Sequence, residues 1–234
     1  MNTATGSHGA FCPRRAVPDR PTSAVIDPVP LGVVVRRFSP ASFAERLHRY
    51  ASRNLRKAVE GRRMNRIRRN PHGLRAALTS ARSVLIVCHG NIIRSAFAAK
   101  LLGRAIGDDA RVTILSGGLG AVPGSRAHPM AIGAGTALGV DLSGHASAAL
   151  TADTVAEADV IFVMELDQLV EIRRRFPAAR GRTFLLTCLT ADGPLEIRDP
   201  IDGDEIVYER CFNQIVRAVG PIASLLDARP QEPR

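Results

Sequence analysis

Cys88 and Arg94 stand six positions apart in the stretch VLIVCHGNIIRSAFAAKLL (84–102), and this pair carries the densest chemistry in the chain. Val84–Val87 is a short apolar, β-branched run, the pattern of a buried strand in a parallel sheet. From Ser95 the residues become Ala-rich, with Phe97, Leu101 and Leu102 returning on one side, which is a helical pattern. A thiol therefore sits where a strand ends, a tight loop containing Gly90 follows, and an arginine closes it as a helix begins. Backbone N–H groups at a helix N-terminus form a ready anion site. The same field, together with Arg94, is expected to favour the thiolate near neutral pH. A thiolate inside a phosphate cradle is a nucleophile for phosphoryl transfer.

The spacing alone is weak evidence, because 30 of the 234 residues are arginine. Cys211 and Arg217 repeat it in CFNQIVR, but without a preceding strand or a glycine and inside an amphipathic helical pattern. Cys211 thus reads as core, and only Cys88 has the strand–loop–helix context.

The elements that must position this pair lie in the second part of the chain. Charge divides the two parts: residues 1–82 carry 17 Arg/Lys against 4 Asp/Glu, a net of +13, whereas residues 83–234 carry 15 against 18, a net of −3. A basic extension thus precedes a nearly neutral domain. Residues 1–40 are rich in Pro, Gly, Ser and Arg without periodicity and read as disordered, apart from a short apolar patch at Leu31–Phe38. Ser42 and Glu45 have capping-box spacing and open a helix that ends at Asn70-Pro71. Its apolar stripe, Phe43, Leu47, Tyr50, Leu55, Ala58 and Val59, is expected to pack on the following domain with the arginines solvated. The alternative is that residues 42–70 contact an anionic membrane or a partner protein; the lack of interleaved aromatics disfavours nucleic acid.

From Arg82 strands and helices alternate: strands at Val112–Ser116, Val160–Met164 and Thr183–Thr187, and helices at Arg126–Leu138, Thr151–Ala158 and Leu166–Phe176. A last helix, Asp204–Leu226, is expected to break or kink near Gly220-Pro221. The expected fold is α/β, a four-stranded parallel sheet flanked by helices on both faces, with the phosphate loop after its first strand. The expected organisation is a segment 1–40, a basic helical extension 41–81 and a catalytic domain 82–228. Four irregularly spaced cysteines argue against a disulfide framework or a zinc ribbon, and there is no 18-residue apolar run. A cytoplasmic setting, with the extension allowing a membrane-peripheral one, follows from these features.

Over residues 83–227 the chain resembles the low-molecular-weight protein-tyrosine phosphatase family. CHGNIIRS resembles the family's phosphate loop, ILSGG its Ser-Ala-Gly turn, and GVDLSGHAS its Asp-x-Ser-x-His segment. ADVIFVMELDQ resembles its third strand and IRDP the Asp-Pro that carries the general acid. The resemblance implies that Cys88 attacks phosphorus and that Arg94 binds two phosphoryl oxygens, with the loop residues His89, Gly90, Asn91, Ile92 and Ile93 cradling the group. It implies Asp199 as general acid and then base, Ser95 as donor to the Cys88 sulfur, and Asn91 as a brace bonded to Ser95, Ser116 and His145. No metal or other cofactor is implied. His128 reads as a surface residue, and Asp202, Asp204 and Glu205 as caps of the last helix.

Three departures bear on substrate. Ile93 stands where the family often has a second cysteine, Ile201 and Asp202 where tyrosine-directed members carry an aromatic after Asp-Pro, and Ala96 where a proline is usual. Leu119–Arg126 has no aromatic either. Ile92 matches tyrosine-directed members, whereas phosphoarginine-directed relatives tend to carry Thr. The expected substrate is a phosphotyrosine protein or another phosphomonoester. A phosphate- or phosphopeptide-binding module with little turnover, and a thiol-dependent arsenate reductase relying on Cys188, stand as alternatives.

Overall fold

Val84–Cys88 are buried without interruption, and a strand with no polar face belongs in the interior of a sheet. The computed structural model describes residues 40–107 and 111–228, and this strand lies inside its sheet. The elements run α1 (Pro40–Arg69), α2 (His72–Ser80), β1 (Ser83–Cys88), α3 (Arg94–Ile106), β2 (Thr113–Gly118) and α4 (Pro129–Ala137). They continue with α5 (Ala152–Glu157), β3 (Val160–Val163), α6 (Leu166–Arg175), β4 (Thr183–Leu185) and α7 (Glu205–Asp227). The strand order is β2-β1-β3-β4, all parallel, the α/β architecture expected. Cys88 pairs with Gly118 at the end of β2, and Val87 with Val163 at the end of β3. The loops leaving these three strands therefore gather at one end of the sheet. α3 packs on α7 through Phe97 and Phe212, stacked with centroids 3.9 Å apart.

Several elements differ from expectation. α4 starts at Pro129, not Arg126, because a proline without N–H is best placed in the first helical turn. β4 stops at Leu185, where Leu186–Leu189 tightens into a 3₁₀ turn. α2 was not anticipated; its core side consists of Leu74 and Leu78, four residues apart and both buried. α7 passes Gly220-Pro221 without interruption. Pro221 forfeits one backbone bond, but Val219, Ile222 and Leu226 are buried around it and hold the last turns.

α1 docks by a different face from the one its apolar residues suggest. Tyr50, Leu55 and Val59 are exposed. The buried anchor is Met64, against the Cys188 sulfur at 3.7 Å. Arg53 and Lys57 donate to Asp167 of α6 at 2.9 and 2.8 Å, Glu60 accepts from Arg173, and Arg68 donates to the Thr190 carbonyl at 2.6 Å. The arginines are thus partly structural ties. The expectations for residues 1–39, and the contacts of Ser42, Phe43 and Leu47, lie outside the described residues and side chains. Among the described residues no helix is long and apolar enough to cross a membrane.

Candidate active site

The six-residue loop from Cys88 to Ile93 must turn sharply between β1 and α3, and Asn91 makes the turn with φ of +54°. Asparagine tolerates this left-handed conformation because its short amide can bond locally. Here the amide is fully buried: Nδ2 donates to Ser95 Oγ at 2.8 Å and to Ser116 Oγ at 3.0 Å, while Oδ1 accepts from the Ala148 N–H at 2.8 Å. His145 joins through the backbone, its Nε2 lying 2.6 Å from the Asn91 carbonyl oxygen. Gly118 closes in from β2. A Cβ there would stand 2.5 Å from the His89 carbonyl oxygen and 3.0 Å from the Asn91 nitrogen, so only glycine fits.

Within this frame Cys88 Sγ lies 3.0 Å from Ser95 Oγ and accepts the Asn91 N–H at 3.3 Å. α3 has no side-chain N-cap, which leaves its first-turn N–H groups for an anion. Arg94 is the first residue of α3 and its side chain is almost wholly buried. One Nη1 donates to Glu165 at 2.8 Å and to the Ile197 carbonyl at 2.8 Å, and Nη2 pairs with Asp199. Burial by itself would lower the guanidinium pKa. The Cys88 sulfur and the Asp199 and Glu165 carboxylates outweigh it, so the net shift is upward.

Asp199 is delivered by the segment after β4. Ile197 is buried, its N–H donates to the Met164 carbonyl at 2.9 Å, and Gln214 holds the Glu196 carbonyl at 3.0 Å. Cys88, Gly90, Ile92, Arg94, Asp199 and Ile201 line a cavity of about 140 Å³, with Ile93 beside them and His89 exposed at the rim. Ile93 itself is buried in the core. Asp204 caps α7 by accepting the Val207 N–H at 3.0 Å.

Sequence reasoning missed three participants. Glu165, immediately after β3, clamps Arg94 and also accepts from Gln168 at 3.0 Å; its signal was a carboxylate at the end of a strand adjoining β1. His128 is half-buried rather than a free surface residue, because buried Tyr208 pairs its hydroxyl with His128 Nδ1 at 2.9 Å. Burial, then the Asp199 charge, raise the Tyr208 pKa. The third is α1, which supplies Arg53 and Arg56 to a larger cavity that also touches His89 and Asp199. The remaining described cysteines are buried: burial pushes the Cys188 thiol up to about 11 and the Cys211 thiol up to about 12. Among the described residues no group of three or more His, Cys, Asp or Glu side chains could hold a metal ion.

The chain matches the model of the low molecular weight phosphotyrosine protein phosphatase family over residues 83–231. It is 35% identical over 138 residues to a probable low molecular weight protein-tyrosine-phosphatase, EpsP, of Ralstonia nicotianae, covering 59% of this chain and 91% of the relative. Among solved structures it resembles the Erwinia amylovora tyrosine phosphatase AmsI, at 32% identity and a TM-score of 0.56, over 62% of this chain and 91% of that one. The YwlE arginine phosphatase of Geobacillus stearothermophilus is also similar, at 28% identity and a TM-score of 0.56, over 61% and 90% of the two chains.

Proposed function

The chain belongs to the low molecular weight phosphotyrosine protein phosphatase family, and from that premise we propose that it hydrolyses phosphotyrosyl proteins through a cysteinyl-phosphate intermediate. The observation that carries this reading is the meeting of Cys88, Arg94 and Asp199 around one small cavity. The Cys88 thiolate attacks phosphorus while the bond to the tyrosyl oxygen breaks, and the acid form of Asp199 gives that oxygen its proton. Arg94 and the loop N–H groups hold the equatorial oxygens, exchanging Asp199 at Nη2 for a phosphoryl oxygen. The Asp199 carboxylate then takes a proton from a water that attacks phosphorus. The S–P bond breaks, inorganic phosphate leaves, and Ser95 donates to the returning thiolate.

Tyrosine is favoured over phosphoarginine by Ile92 and by the EpsP and AmsI likenesses. A pure binding module has no use for Asp199 beside Arg94. A thiol relay is disfavoured by the burial and raised pKa of Cys188.

The test is aryl-phosphate hydrolysis without added metal by the wild type, Cys88→Ser and Asp199→Ala. Turnover that resists a chelator, vanishes in Cys88→Ser and falls about 100-fold or more in Asp199→Ala with a poor leaving group is expected. Folded wild type without turnover, or an active Cys88→Ser, would overturn the proposal. Phosphotyrosyl and phosphoarginyl peptides then compare the two substrate classes directly.

A further inference from the structure

Residues 1–82 lie outside the family match, yet α1 walls the space beside the phosphate loop. His89 and Asp199 line both the catalytic cavity and an adjoining one of about 750 Å³. That larger cavity is also lined by Arg53 and Arg56 of α1 and Arg174 of α6, whose charges Glu165, Asp167 and Glu171 offset within it. Arg56 and Arg174 in turn line a third cavity, of about 310 Å³, with Arg63, Arg173 and Arg180. Shared lining residues therefore connect the reaction centre to a groove between α1 and α6 whose outer part holds five arginines.

The excess of positive charge lies in the outer cavity. The acid lining the outer cavity is Glu60, and it is bound to Arg173. Arg174 is engaged by Glu171 at 2.8 Å. Neither Arg56 nor Arg63 forms an ion pair with a described residue. Burial is the main cause that lowers the Arg173 guanidinium pKa, with a smaller contribution from the neighbouring Arg63 and against the help of Glu60. The outer part of the groove therefore attracts anions.

We propose that the α1–α6 groove is a substrate-docking channel that selects acidic residues flanking the phosphotyrosine. A polypeptide fits better than a membrane surface because the groove shares its walls with the reaction cavity, so its occupant is one attached to the phosphoryl group being cleaved. This inference rests on the phosphatase reading above.

The experiment measures kcat/KM of the full chain on an aryl phosphate, on a phosphotyrosyl peptide with Asp/Glu flanks, and on the same peptide with Ser/Gln flanks. The proteins are wild type, the double charge reversal Arg56→Glu/Arg63→Glu, and a control reversal, Arg62→Glu/Arg69→Glu. All four positions are exposed, and the control pair changes net charge equally without lining the groove. We expect wild type to prefer the acidic peptide about fivefold at about 20 mM salt and to lose most of that preference near 0.5 M, roughly, as screening sets in. The groove variant loses or inverts the preference, and the control pair keeps it. Equal rates on both peptides in wild type, a groove variant that keeps the preference, or a control that loses it as fully would each overturn the channel. So would phosphatidylserine vesicles that bind wild type and lose binding in the groove variant while peptide discrimination is absent. Aryl-phosphate turnover in any of these cases leaves the phosphatase reading standing, and its absence from folded wild type is the distinct failure of that reading.

Discussion

Asn91 gives the sharpest test of how the phosphate loop is built, because one side chain relieves a backbone conformation and ties three segments together. Replacing it with alanine removes two donated hydrogen bonds, to Ser95 and Ser116, and one accepted from Ala148. At about 0.5–1.5 kcal/mol each these amount to about 1.5–4.5 kcal/mol. Alanine at φ +54° adds about 1 kcal/mol of left-handed strain. The expected loss for Asn91→Ala is therefore about 2.5–5.5 kcal/mol, a large share of the roughly 5–15 kcal/mol that holds a domain folded. Asn91→Gly loses the same bonds without the strain and should be milder by at most about 0.6 kcal/mol, after its greater unfolded-state entropy.

Urea unfolding read by circular dichroism gives both numbers, and aryl-phosphate kinetics give the functional counterpart. Since the Asn91 N–H bonds to Cys88 Sγ and its carbonyl to His145, both variants should lose about 100-fold in kcat/KM where they remain folded, the scale for a misplacement of about 1 Å. An Asn91→Ala protein within about 0.5 kcal/mol of wild type and within about twofold in kcat/KM would refute the bracing argument. A glycine variant clearly less stable than the alanine variant would refute the strain part alone.

Other substitutions probe the neighbours of this loop. Glu165→Gln removes the charge facing Arg94 Nη1 and should cost about 1.5–3 kcal/mol in urea unfolding, the range for a charge-assisted bond; an unchanged midpoint would mean that Asp199 and Ile197 hold the guanidinium without it. Gly118→Ala forces a methyl to 2.5 Å from the His89 carbonyl and should lower stability by about 1–3 kcal/mol while impairing turnover, whereas wild-type kinetics and stability would show that the β2 turn yields freely. For Asp167, burial raises the pKa but the Lys57 and Arg53 hydrogen bonds prevail, holding it below its ordinary 3.8. The ion pairs therefore stabilise above about pH 3.8, and their contribution fades as pH falls through the lower folded value. Wild type should exceed Asp167→Asn by at most about 1 kcal/mol at pH 6, given the exposure of Arg53, and the gap should close in acid; a gap independent of pH would contradict the docking of α1 by these charges.

What could be read from the sequence and what could not divide along a physical line. β1 was legible because Val84–Val87 is an apolar, β-branched run too short for a buried helix, and Cys88 follows from where that run ends. Asp199 and the Asn91 brace were legible only through a resemblance, because long-range partners such as Asn91 and Ser116 leave no local periodicity. α1 shows the converse. Its apolar positions Tyr50, Leu55 and Val59 pointed to a docking face that is exposed, while the residues that dock are Met64 and the charged Arg53, Lys57, Glu60 and Arg68. A stripe rule counts burial and misses a face held by one buried side chain and several ion pairs. The same limit hid Glu165, which looks like any solvated carboxylate until Arg94 is seen to need a partner. Arginine is the common thread: with 30 of them, a sequence cannot say which are solvated, which tie α1 down and which face the reaction cavity. In the α1–α6 groove, Arg56 and Arg63 form no ion pair with a described residue, which leaves their charge to meet an acid from outside.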